Sequence, residues 1–259
     1  MANHTMNIGK TGRPEASRRD RRTLWFSRYA DGPAYTAPPP LDDLTGSLND
    51  YTWLGNDDVG CCTRTCYGHI VQQRCALLNT PCTLTTDDIL KAYKDGTGWD
   101  GVPGSFSDRG DQIINALVQM KNVGLGGYKI RQFGRVNHND TVEMRAALHL
   151  FGSIIIGASL PTAIRRQHDD WDVNMPGQRQ PDEAPNSLGG HAFILTGHQR
   201  GKWWALPWVT KTTITYAWDD LYIDEAWFVI DDLWVTQQRN APNGFDLARI
   251  EADAAAIAA

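Results

Sequence analysis

The sequence has no apolar run near the roughly 20 residues that a bilayer-spanning helix needs. Its longest such stretch, around Ile154-Ile155-Ile156, is the length of a strand, so no membrane partner is expected. No signal-peptide apolar segment stands at the N-terminus. The expected place is therefore the cytoplasm, with lysis or a particle as later routes out. Charge of one sign is also missing. A formal net charge of −5 over 259 residues gives no reason to expect a nucleic-acid partner. Cysteine is scarce and confined: Cys61, Cys62, Cys66, Cys75 and Cys82 are all there are. A secreted disulfide scaffold spreads an even number more widely, so free thiols are the expectation. No internal repeat is visible. What remains is 41% hydrophobic and 21% charged, a globular balance with length for a sizeable core.

The chain divides by pattern. Residues 1–45 hold a basic stretch with Arg18, Arg19, Arg21 and Arg22, then a proline-rich one through Pro38-Pro39-Pro40. Neither has apolar periodicity, which predicts an extended arm. Residues 46–240 form the body. Its first half, 46–150, has helical spacing: about Cys61 to Leu78, a helix capped by Thr85 or Thr86, one over Gln112–Lys121, and one capped by Asp140 or Thr141. Its second half, 151–240, changes period. "GSIIIGASL", "AFILTG", "KWWALPWV", "TTITYAW" and "AWFVID" read as strands, the last four as an antiparallel meander, with a long polar loop over 161–190. Residues 241–259 favour a terminal helix. Helices followed by antiparallel strands predict an α+β fold with two lobes and a cleft between them.

A cysteine is a good nucleophile as the thiolate, which a helix N-terminus or a paired histidine favours. In "WLGNDDVGCCTRTCYGH", Cys62 stands at the predicted helix start. Among the seven histidines, His191 follows Gly189-Gly190 at the head of a buried strand. Two glycines there allow backbone or substrate to approach closely. Cys62, Cys66 and His69 share one helical face, but zinc spacings do not match and no fourth ligand is evident. No metal and no cofactor are expected. The tryptophans of the second half read as sheet packing. The acidic set Asp219, Asp220, Asp224, Glu225, Asp231 and Asp232 reads as a solvated face.

These residues resemble the papain-like cysteine peptidases. That family carries Cys-Gly-small-Cys-aromatic, with the histidine ~130–150 residues later. Here the matching stretch is Val59-Gly60-Cys61-Cys62-Thr63, and His191 stands 129 residues after Cys62. "GNDDVGCC" and "YIDEAWFVI" are also similar to a bacterial and phage branch with a Gly-Asn-Asp-x-x-Gly-x-Cys motif. The resemblance implies a two-lobed papain-like fold over about Trp53 to Trp234. It makes Cys62 the nucleophile, Cys61 its small neighbour and His191 the general base and acid. Asn56 takes the place of the family's oxyanion glutamine. Gly60, Gly189, Gly190 and Trp208 would line the cleft. Two departures stand out. Thr63 replaces the aromatic after the nucleophile, and Leu206 stands where the family has the asparagine that orients the histidine. Leucine cannot hydrogen-bond an imidazole.

Two functions from different classes follow. One is a Cys-His hydrolase acting on peptide or amide bonds, weakened by the missing asparagine. The other is a papain-like domain reused as a structural or interaction protein, for example a virion component, with residues 1–45 clasping neighbouring subunits in an oligomer or particle. Inhibition of the site by the arm has little support in the sequence, because the arm lacks a helical pattern.

Overall fold

A computed structural model of the chain describes residues 9–12, 24–30, 42–44, 46, 50–237 and 246–258. The basic run Arg18–Arg22 and the prolines 38–40 lie outside the described residues.

Helix α1 (Cys62–Leu77) is buried along nearly its whole length, although its sequence is rich in Thr, Arg, Gln and His. The single apolar stripe expected from spacing does not describe it. A buried polar helix persists only where its side chains find partners. Arg64 meets Asp111 at 2.6 Å and hydrogen-bonds Gln119. Arg74 pairs with Asp231 at 2.8 Å and donates to the carbonyls of Phe151 and Val229. Gln73 accepts from Ser153, and His69 and Gln72 both reach Thr52.

Three helices follow as the spacing predicts. Helix α2 (Thr86–Thr97) starts in a capping box between Thr85 and Asp88 and stops at Gly98, whose φ of 74° favours glycine. Helix α3 (Ile113–Asn122) buries Ile113, Ile114, Leu117 and Met120. Helix α4 (Thr141–Phe151) is capped by Asp140.

The strands are β1 (Asp42–Asp43), β2 (Ile130–Val136), β3 (Ile154–Leu160), β4 (Asp170–Trp171), β5 (Gly189–Gln199), β6 (Lys202–Leu206), β7 (Thr212–Thr215) and β8 (Ile223–Asp231). They form one sheet in the order β2-β8-β3-β5-β6-β7-β4, with β1 on β5. All pairings are antiparallel except β4 with β7. Strand residues alternate between two cores. Ile155, Ala192, Ile194, Trp227 and Val229 pack with α1, α2 and α3. Ile154, Ile156, Phe193, Leu195, Phe228 and Ile230 pack with α4 on the other face. Helix α1 lies against β5, the strand of His191.

Several sequence expectations change. The meander is β5-β6-β7 alone, because β8 crosses to lie between β2 and β3. "TTITYAW" is not one strand: the Thr215 hydroxyl accepts from Trp218 N–H and caps helix α6 (Tyr216–Tyr222). A shorter helix, α5 (Ile164–Gln167), and β4 lie inside the expected loop over 161–190. That segment is anchored by Trp171, fully buried between Phe193 and Trp218. Strand β2 was hidden by Gln132 and Arg135, which are buried and paired with Lys121 and Glu225. Asp219, Glu225 and Asp231 are buried too, so the acidic set is not a solvated face. Helix α7 (Asp232–Gln237) follows β8.

The boundary at residue 45 also shifts. Leu24, Phe26, Tyr29 and Ala30 belong to the core of the body. Tyr29 further binds the terminal helix α8 (Leu247–Ala258), through its carbonyl to Asp246 N–H and its hydroxyl to Asp253.

Candidate active site

The turn before α1 is built by local geometry. Leu54 and Gly55 have φ of 52° and 85°, reversing the chain so that Asn56 N–H donates to the Trp53 carbonyl. Gly60 N–H then donates to Asp108 at 3.0 Å, and a Cβ at Gly60 would meet that carboxylate at 2.8 Å. Glycine is required by this close approach. The Tyr93 hydroxyl donates to the same carboxylate oxygen at 2.9 Å and steadies Asp108. Cys61 stands at the N-cap position without a side-chain cap, and Cys62 is the first residue of the helix. A helix N-terminus leaves its first N–H groups without intrahelical acceptors and carries a partial positive charge.

Cys61, Cys62 and Cys66 are all buried. Cys61 is fully buried, with its sulfur near Thr65 and the Leu54 carbonyl. Burial pushes its thiol up to about 12. Cys66 is pushed up well above the usual thiol range, again by burial. His69 donates Nε2–H to the Thr52 carbonyl at 2.9 Å, and burial lowers it to about 4. That histidine is neutral packing. No cluster of three or more metal-binding side chains occurs among the described residues.

His191 sits at the head of β5, paired in register with Ala158 of β3. Its Nε2–H donates to the carbonyl of Pro207 at 2.7 Å. A carbonyl can only accept, so the ring carries a proton on Nε2. Trp208 stacks on the imidazole with centroids 4.5 Å apart and planes 25° off parallel. Leu206, where the sequence lacks the orienting asparagine, is part of the core with Ala192 and Ile194. The next residue supplies the acceptor from its backbone. A side-chain pattern cannot reveal this, since every residue carries a carbonyl.

The chain's own residues 9–12 bring the two halves of the site into view. Lys10 N–H donates to the Asn56 carbonyl at 2.8 Å, and the Asn56 side-chain amide donates to the Lys10 carbonyl at 3.2 Å and to that of Val59 at 2.9 Å. Gly12 N–H donates to Gly190 at 3.1 Å, and its carbonyl accepts from Asp111 N–H at 2.8 Å. A Cβ on Gly12 would meet the Gly60 backbone at 2.4 Å, and one on Gly9 would meet Asn56 O and the Trp208 ring at 2.5 Å. On the opposite wall, a Cβ at Gly189 would meet the Thr11 hydroxyl at 2.7 Å. One glycine thus separates Gly60, two residues before Cys62, from Gly190, next to His191. Asn56, Gly60, Gly189, Gly190 and Trp208 all line the strip that residues 9–12 fill. Sequence reasoning missed the strip itself, Asp108 and Asp111, and the Pro207 carbonyl. The glycine spacing Gly9-Lys10-Thr11-Gly12 was the available signal.

No family model matches the chain, and no curated protein matches it. Among solved structures it is similar to xylellain, a cysteine protease from Xylella fastidiosa, with a TM-score of 0.67. The identity is 14% over 88% of this chain and 98% of that one. It is also similar to a recombinant stem bromelain precursor, at 13% identity over 90% and 80% with a TM-score of 0.53. Digestive procathepsin L 3 of Tenebrio molitor larval midgut aligns at 9% identity over 78% and 74%, with a TM-score of 0.51. With the helix-borne cysteine turn set against a histidine-bearing strand, these likenesses show that the chain has the papain-like fold of cysteine proteases.

Proposed function

We propose that the protein is a Cys-His hydrolase of peptide or amide bonds, with Cys62 as nucleophile. The observation that carries the reading is the Nε2–H of His191 on the Pro207 carbonyl. It holds the ring without the missing asparagine, and the base role falls to Nδ1 in this reading. In the reaction Cys62 gives its proton to Nδ1 and its sulfur adds to the substrate carbonyl. Asn56 and the Cys62 N–H hold the oxyanion. The Asn56 amide already binds a peptide carbonyl, that of Lys10. The His191 imidazolium then protonates the departing amine, and water resolves the thioester by the same base. Residues 9–12 occupy the strip a substrate must use, so a substrate competes with the chain's own arm.

The filled cleft also favours a second reading, a papain-like interaction protein with no turnover. Iodoacetamide labelling with mapping of the modified cysteine separates the two. Cys62 should label selectively below about pH 7, and His191→Ala should lose that selectivity. Peptide hydrolysis should vanish in Cys62→Ser. Labelling of Cys62 no faster than a simple thiol, with the arm weakened by Gly12→Val, would sink the enzyme.

A further inference from the structure

Cys75 and Cys82 lie at the far end of α1 from Cys62, about 20 Å away along a helix rising 1.5 Å per residue. The hydrolase site does not use them. After the last turn of α1, Asn79 adopts a φ of 52° and reverses the chain. Thr80 then binds back to the Cys75 carbonyl, through its N–H at 2.9 Å and its hydroxyl at 3.4 Å. Further on, Thr83 meets the Tyr128 hydroxyl, through its N–H at 3.1 Å and its own hydroxyl at 3.2 Å. The same Tyr128 hydroxyl receives the Cys75 thiol, with sulfur at 3.8 Å. Two pins therefore hold the segment Thr80–Thr83 over Cys75, and Cys82 lies between them. Burial raises the Cys75 thiol, and Cys82 nearby adds to the rise. Cys82 is exposed and Cys75 is buried, and neither is in a disulfide.

We infer that Cys75 and Cys82 form a dithiol modification site, which closes to a disulfide by exchange with a small disulfide such as glutathione disulfide. Exposed Cys82 reacts first. Its thiolate attacks one sulfur of glutathione disulfide, forming a mixed disulfide and expelling one glutathione thiolate, which takes up the proton Cys82 lost. Cys75 then gives up its proton and attacks the Cys82 sulfur, expelling the second glutathione. The protein loses two hydrogens, and one glutathione disulfide becomes two glutathiones. Burial raises the Cys75 thiol, so Cys75 resolves the mixed disulfide and does not initiate. The closed pair braces the C-terminal end of the helix whose other end carries Cys62.

The sequence makes the test clean. Trypsin cuts after Arg74 and Lys91, so Cys75 and Cys82 share one peptide, while Cys61, Cys62 and Cys66 fall in others. The full chain is incubated with glutathione disulfide, alkylated and digested without reduction. The expected peptide from Cys75 to Lys91 is two hydrogens light and carries no alkyl group. The thermal unfolding midpoint rises with it, dithiothreitol reverses both changes, and Cys82→Ser shows neither. The inference is overturned if that peptide holds one glutathione and one alkylated thiol. It is equally overturned if both cysteines remain alkylated, or if the midpoint does not move when the bond forms.

Discussion

The Nε2–H of His191 donates to the main-chain carbonyl of Pro207 across 2.7 Å. The hydrogen bond that orients the imidazole is thus carried by the backbone just past the end of β6. Proline has no N–H and ends the ladder there, while Trp208 covers the ring from one face.

One consequence concerns Leu206. Restoring an asparagine at that position should not raise the rate of Cys62 labelling, because the side chain belongs to the core with Ile194. Leu206→Asn should instead cost about 3 kcal/mol of stability, from lost packing and a buried amide. Denaturant unfolding and alkylation rates measured on the same variant check both halves. Nitrogen NMR of His191 should show Nε2 protonated throughout the pH range of the folded protein.

Residues 9–12 make the second prediction. Gly12→Val cannot fit against the Gly60 backbone, so the segment should leave the cleft. Alkylation of Cys62 should then accelerate about tenfold or more, equivalent to about 1.4 kcal/mol of lost occupancy. A synthetic peptide spanning residues 7–13 should slow it again. An unchanged rate in the variant would show that the segment does not guard the site.

Asp219 makes stability depend on pH. Burial pushes its carboxyl up to about 7 from the usual 3.8, against a hydrogen bond from Trp203, with Asp220 adding to the rise. Between those values the folded chain holds a proton that the unfolded chain releases. Stability from this group is therefore full below about pH 4 and falls by about 1.4 kcal/mol per pH unit up to about pH 7. Asp219→Asn keeps an acceptor for Trp203 and should flatten that slope. Urea midpoints at several pH values give the comparison.

The buried pair Arg74–Asp231 ties α1 to the end of β8. Asp231→Ala leaves a guanidinium uncompensated in the interior and should cost about 3–5 kcal/mol. Replacing both partners with apolar residues of similar volume should recover most of the loss, read by denaturant unfolding.

Much of the architecture was legible because local chemistry carries it. Thr85 and Asp140 mark helix starts through their own side chains, and Ile154–Leu160 declares a strand by composition. Strand β2 was not legible, because Arg135 and Gln132 hide their burial behind partners distant in sequence. Helix α6 was missed since Tyr and Trp at its buried positions read equally well as strand. In the proposed site, Cys62, His191, Asn56 and Trp208 are the residues the family resemblance points to, whereas a backbone acceptor at Pro207 has no side-chain signature.

The sequence by itself determined the chemistry on offer: one cysteine at a helix start, one histidine behind two glycines, and an α+β order of elements. Those are local properties, set by propensity, capping and spacing. The tertiary structure decided which groups meet. It set the Pro207 carbonyl on His191, buried Asp219 and Asp231, and laid residues 9–12 between Gly60 and Gly190. Each of these depends on where distant segments pack, which burial of two apolar faces on one sheet decides and no short stretch encodes.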